Sequence, residues 1–188
     1  MKCLKTIVLL SILLLSFSGC AIYHHYDPYY GKVVDMETKQ PLEGAVVLAV
    51  YSTWLWASPG GQVGYFLDAQ ELVTDKNGEF LIPSLNAFAF RPLSTFKQKP
   101  YINIFKPRYG CYPGLWSKSS LVPNTVLQTD KYMTVEMLEL NNWEDRRRNV
   151  GCYMILVPAN RMRKYVEVLN DERVDLGFQP EFVKEKNK

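Results

Sequence analysis

The chain is poor in histidine. Of its 188 residues only His24 and His25 carry an imidazole, and they are neighbours. That scarcity excludes several reaction classes together. A hydrolytic zinc centre needs ligands held by a rigid scaffold, and neither His-x-x-Glu nor His-Glu-x-x-His occurs. A Ser-His-Asp or Cys-His arrangement would have to recruit the same two residues. A surplus of one charge is also lacking: Lys and Arg total 22 against 19 Asp and Glu, a net of +3. Lys2 and Lys5 account for part of that, so the balance gives no argument for a nucleic-acid partner. Phosphate and calcium loops are missing as well. Gly60-Gly61-Gln62-Val63-Gly64 lacks the Lys-Ser/Thr of a phosphate-binding loop and reads as a hairpin tip. Asp75-Lys76-Asn77-Gly78 starts like a calcium loop, but Phe80 stands where the turn glycine belongs and Asn86 where the bidentate Glu belongs. No catalytic residue, metal or cofactor is assigned. An enzyme would have to use acids such as Asp68, Glu71 and Asp75, which no motif links.

Long hydrophobic runs are scarce too, and the one present lies at the start. Residues 6 to 17 are almost all apolar, behind Lys2 and Lys5 and ahead of the small residues Ser18 and Gly19. A helix needs about 20 apolar residues to span a bilayer. This shorter run, with a basic stub and a small-residue cleavage point, has the layout of an export signal. Phe17-Ser18-Gly19-Cys20 resembles the lipobox of bacterial lipoproteins, with Phe17 where Leu is usual. The resemblance implies removal of residues 1–19 and acylation of Cys20. Several acyl chains hold far more firmly than one, at roughly 0.8 kcal/mol per buried methylene. Ala21 resembles the residue that sends enteric-type lipoproteins to the outer membrane, where Asp would retain them inside. Of the four cysteines, Cys3 would leave with the signal and Cys20 would carry lipid. Cys111 and Cys152 remain, available for a disulfide in an oxidising envelope or as two separate buried thiols.

Residues 20–28 read as a lipidated tether. Beyond them, Gly31–Asp35 and Ala45–Tyr51 have strand texture, the second dense enough in Val, Leu and Ala to be buried. A further strand is expected over Tyr65–Thr74, then a tight hairpin at Asn77-Gly78, a return strand over Glu79–Pro83 and another over Tyr101–Phe105. Residues 108–130 read as a long irregular loop, and Tyr132–Leu140 alternates as a closing strand.

Three spaced motifs carry a further resemblance. They are Gly31-x-Val33-x-Asp35; Thr38-x-x-Pro41-Leu42-x-Gly44-Ala45-x-Val47; and Thr74-Asp75-x-Asn77-Gly78-x-Phe80-x-Ile82-Pro83, with Lys106-Pro107-Arg108-Tyr109 following. Together they resemble the carboxypeptidase regulatory-like domain over residues 29–140. Arg108 replaces the glycine of that family's late turn, and residues 54–73 form an insertion or elongated hairpin. The resemblance implies a mainly β chain: a transthyretin-like Greek-key β-sandwich of about seven strands. Members of that family are accessory domains, not catalysts.

Residues 141–188 change character to a helical C-terminal extension. Asn142 is placed to cap a helix from Trp143, with Glu144 and Asp145 in its first turn, and Pro158 ends or kinks it. A second helix is expected from Ala159 to about Leu176, its apolar face made by Met162, Tyr165, Val166, Leu169, Arg173 and Leu176, with Gly177 as the stop. Arg146-Arg147-Arg148 and Arg161-x-Arg163-Lys164 could meet anionic lipid, but interspersed acids favour a solvated, internally paired face. Trp54, Trp56, Tyr109, Tyr112 and Trp116 fall in loop-rich regions, where aromatics either form a binding surface or pack beneath the loops. The expected function is thus a non-catalytic envelope lipoprotein. It would act as an interaction or structural module at a membrane surface, outer-membrane anchored, beside an envelope protein partner. The alternative is a glycan-binding domain using the loop tryptophans.

Overall fold

A computed structural model describes residues 23–55, 63–91, 94–121, 132–151 and 157–180. Ten strands and two α-helices lie within them. The strands are β1 (Tyr23–Tyr26), β2 (Tyr29–Asp35), β3 (Val46–Leu55), β4 (Val63–Val73), β5 (Glu79–Ile82), β6 (Leu85–Phe88), β7 (Ser94–Phe96), β8 (Tyr101–Phe105), β9 (Ser117–Leu121) and β10 (Tyr132–Met137). Helix α1 spans Trp143–Asn149; a short 3-10 turn at Ala159–Arg161 leads into α2 (Arg163–Asp175).

One sheet has the order β5-β2-β10-β9, with β2 and β10 parallel and the other pairs antiparallel. In the other, β3 pairs β4 along one edge, while β8 and then β7 follow each other along its second edge. The path crosses between these sheets at β2 to β3, at β4 to β5, from β5 through β6 to β7, and at β8 to β9. The chain is a mainly β sandwich with a helical C-terminal extension, as its sequence leads one to expect. It has more strands than the seven or so of the simple sandwich, because β1 and β6 form an extra ribbon and β7 and β9 extend the sheets.

The unbroken apolar texture of Ala45–Tyr51 has a direct cause, since β3 is buried on both faces. Val47, Ala49 and Tyr51 join Val33, Val135, Met137, Ile82 and Ile104 in the core between the sheets. Val46, Leu48 and Val50 point the other way, into a second core with Phe105, Met162, Tyr165 and Leu169. Strands covered on both sides lose the apolar-polar alternation of half-exposed ones. The molecule therefore has three layers: sheet, sheet and helices. A bulge in β4 at Leu67, opposite Tyr51 and Ser52, resets which β4 side chains face the helices.

The motif residues brace one end of the sandwich. Asp35 Oδ1 accepts from the N–H groups of Glu37 (2.9 Å) and Thr38 (2.7 Å). Thr74 Oγ1 donates to Leu42 O (2.6 Å) and accepts from Ala45 N–H (2.9 Å). Gly78 has φ +72°, and a Cβ there would lie 2.3 Å from Val33 O, so only glycine fits. The expected hairpin at Asn77-Gly78 is instead a turn between sheets, because β5 pairs with β2 rather than β4. Two further expectations give way. The tether stops at Tyr23, where the chain enters β1 and pairs with β6; Tyr26 is buried in the core against Tyr51, with ring centroids 4.6 Å apart. The loop expected over 108–130 contains β9, which pairs with β10.

In the tail, Asn142 caps α1 by accepting from Asp145 N–H at 2.8 Å. The buried face of α2 is Met162, Tyr165, Leu169, Glu172 and Leu176. Glu172 takes the place expected of Arg173. It is held there by a forked pair from Arg146 of α1, at 2.8 and 2.9 Å. Gly177, at φ +83°, closes the helix: its N–H reaches Val174 O and that of Phe178 reaches Arg173 O, the paired bonds of a Schellman stop.

Candidate functional site

The three acids available for chemistry are each committed to architecture. Asp68 pairs with Arg161 and also accepts from its own Ala69 N–H. Glu71 caps α2 from another strand, its carboxylate accepting from the N–H groups of Tyr165 (2.8 Å) and Lys164 (3.2 Å). This replaces a local cap, since Met162 at the N-cap position makes no side-chain bond. Asp75 closes its own turn, accepting from Asn77 N–H (2.9 Å) and Glu79 N–H (2.8 Å).

Both histidines stand on β1. His24 is stacked on Phe96 (5.5 Å) and edge-on to Tyr26 (4.4 Å). His25 Nδ1 lies 2.6 Å from Asn86 Oδ1, and its Nε2 lies 3.6 Å from Asp27. Among the described residues no group of three or more His, Cys, Asp or Glu is placed to hold a metal.

The tail cations also have internal partners. Arg146 bridges Glu172 and Asp175, Arg161 meets Asp68, and Arg147 lies over the Trp143 ring at 5.4 Å. The Glu172 carboxylate raises the Arg146 guanidinium above its already high value.

The expected aromatic surface does not assemble as one. Tyr109 and Tyr112 pack against the core between the sheets, near Ile104 and hence near Val47 of β3. Trp116 is half-buried beside Gly110. Trp54 stands near the other end of β3, seven residues from Val47 and so roughly 20 Å away at the rise of a strand. Lys97 Nζ lies over its ring at 5.0 Å. Trp56 lies outside the described residues, as do Cys20 and Cys152. Cys111 is disulfide-bonded. Its N–H donates to Asn149 Oδ1 (2.8 Å) and it shares a core with Val150, two positions from Cys152.

A different surface comes together, and its members are scattered through the sequence. In the β1–β6 ribbon Tyr23 is directly opposite Phe88, and both project: they are 62% and 70% exposed. Phe90, just beyond β6, is 66% exposed. Tyr65 of β4 lies partly exposed under the Arg91 guanidinium, 4.7 Å from its ring centroid, and Val63 is next in line. The register places the strands that carry them at one end of the sandwich. Tyr26 meets Tyr51, His24 meets Phe96, and Phe96 pairs with Thr53, as does Tyr65, so β1 runs alongside the distal half of β3 towards Leu55. The signal for this surface was the alternation in Tyr23–Tyr26 and Leu85–Phe88, short enough to pass for tether and loop.

No family model, curated protein or solved structure matches the chain. Among the described residues no helix is long and apolar enough to cross a membrane.

Proposed function

We propose that this chain is a non-catalytic lipoprotein of a bacterial envelope. Acyl chains on Cys20 hold it to the membrane, and the sandwich serves as an interaction or structural module for an envelope partner. The observation that carries the non-catalytic part is the employment of Asp68, Glu71 and Asp75, each bound to backbone N–H groups, with Asp68 also paired to Arg161. The anchored part is supported by Phe17-Ser18-Gly19-Cys20 and by the position of Tyr23, which begins the fold three residues after that cysteine. The likeness of the glycine and turn motifs to the carboxypeptidase regulatory-like domain supports an accessory role.

The test is the intact mass of the native chain extracted from cells, together with its partition between detergent and aqueous phases. Loss of residues 1–19, a gain equal to two or three acyl chains, and recovery in the detergent phase are expected. A chain that keeps Met1 and stays in the aqueous phase overturns the reading. Crosslinking in intact cells followed by mass spectrometry then identifies the partner.

A further inference from the structure

We propose that the end of the sandwich bearing Tyr23, Phe88 and Phe90 lies against the phospholipid surface, so that the protein stands on this end rather than swinging free on its anchor. The inference rests on the lipidation of Cys20 and adds an orientation to it.

Three observations converge. The first is reach. Only Ala21 and Ile22 separate Cys20 from Tyr23, and at no more than about 3.6 Å per extended residue the Cys20 α-carbon lies within roughly 11 Å of β1. An anchor that short brings whatever surrounds Tyr23 into the headgroup layer, where amphipathic surfaces settle about 5–10 Å deep. The second is chemistry. Phe88 stands opposite Tyr23, and Phe90, Tyr65 and Val63 are exposed at the same end, apolar and aromatic side chains of the kind that favours the membrane–water interface. Arg91 stands among them with its charge against the ring of Tyr65, while Lys97 lies over Trp54 and Tyr101 on the other face of β3.

The third is the placement of charge. Asp and Glu are absent from residues 21–26, 44–67 and 80–129. These stretches include β1, β6, β7, the distal half of β3 and the first five residues of β4, and they carry Arg91 and Lys97. Asp35, Glu37, Glu43, Asp75, Glu79, Glu136 and Glu139 lie towards the opposite end, with Asp27, Asp68 and Glu71 between the two. A surface of anionic lipid attracts the first end, whereas cations at the second end are already matched by acids, Lys39 and Lys118 by Glu136 and Arg108 by Glu139.

The experiment uses the full native chain, lipidated in cells and reconstituted into vesicles of equal parts phosphatidylcholine and phosphatidylglycerol. A fluorophore is attached at Phe88→Cys in one preparation and, at the opposite end, at Glu37→Cys in another. Both positions are exposed, so neither change disturbs the core. Brominated lipids are then introduced as quenchers. The proposal expects quenching at position 88 at least threefold stronger than at position 37, and a Phe90→Ala, Arg91→Ala version of the Phe88→Cys chain should lose at least half of that difference. Equal quenching at the two positions, or stronger quenching at 37, overturns the orientation. So does protection at 88 that follows protein concentration and not lipid, which would mark the surface as a contact between copies. Intact mass is measured on the same samples. An unlipidated chain would overturn the anchor reading independently, whereas a lipidated chain without the quenching difference would overturn only the orientation.

Discussion

Asp35 is almost fully buried and stands where β2 turns away from the sheet. Burial pushes its carboxyl up, yet the Thr38 N–H and hydroxyl, the Glu37 N–H and the Tyr109 hydroxyl together outweigh it and hold the group below its ordinary value. A carboxylate depressed in this way stabilises the folded chain above its unfolded pKa near 3.9, and that contribution is lost as pH falls through the folded value. Asp35→Ala should therefore cost about 1–3 kcal/mol at neutral pH. Its deficit against the parent chain should shrink below about pH 4, where the parent carboxylate is also protonated. Urea melts across pH read both effects; a deficit that is constant with pH would assign the loss to packing alone. Residues of this kind were partly legible beforehand. Gly78 announces a turn beside Asn77 and makes one, and Asp35, Gly44 and Thr74 stand out as members of spaced motifs that brace turns. The jobs of Asp68 and Glu71 were not legible, because Arg161 and Tyr165 lie more than ninety positions away and nothing local points to them.

Helices α1 and α2 are joined by the Arg146–Glu172 fork, and this is where the tail's cohesion can be tested. The Glu172 side chain is only 2% exposed. Arg146→Ala strands a buried carboxylate and should cost about 3–5 kcal/mol, whereas Arg146→Met combined with Glu172→Leu, which removes both charges, should cost much less. Chemical denaturation of the two variants distinguishes a charge-pair effect from a general need for bulk at these positions. The same pair explains why the helix face was only partly readable. An apolar stripe predicts Met162, Tyr165, Leu169 and Leu176 correctly, but an acid in that stripe makes sense only once a cation from another helix is known to face it. Strands followed a similar rule. Those with a core face in long or motif-bearing segments, β2, β3, β4, β5, β8 and β10, could be placed. The short β1, β7 and β9 depend on partners far away in sequence and carry too few residues to show a period.

At the scale of the molecule, the helical layer covers the outer face of the second sheet over the first half of β3, β8 and part of β4. Val46, Leu48, Val50 and Phe105 are almost fully buried beneath it and face no other layer. A chain ending at Leu140 should expose that stripe. Loss of cooperative unfolding and strong binding of a hydrophobic dye are the expected results, and a truncated chain that melts as sharply as the parent would show the extension to be dispensable. The absence of acids from the stretches that carry Tyr23, Phe88 and Phe90 belongs to this scale as well. It is present in the sequence as gaps without Asp or Glu, but it acquires a direction only when the strands are laid side by side.

The parallel pairing of β2 with β10 has a consequence for how such a molecule comes into being. Strand β2 lies between β5 and β10, and its Tyr30–Asp35 stretch matches Tyr132–Met137 residue for residue. Made from its amino end, the chain holds one flank of β2 vacant until a hundred further residues have appeared. Such distant closure slows the gain of a finished shape. A newborn polypeptide of this design stays pliable until nearly all of it exists, which is the condition a narrow passage through a membrane demands of anything threaded across it.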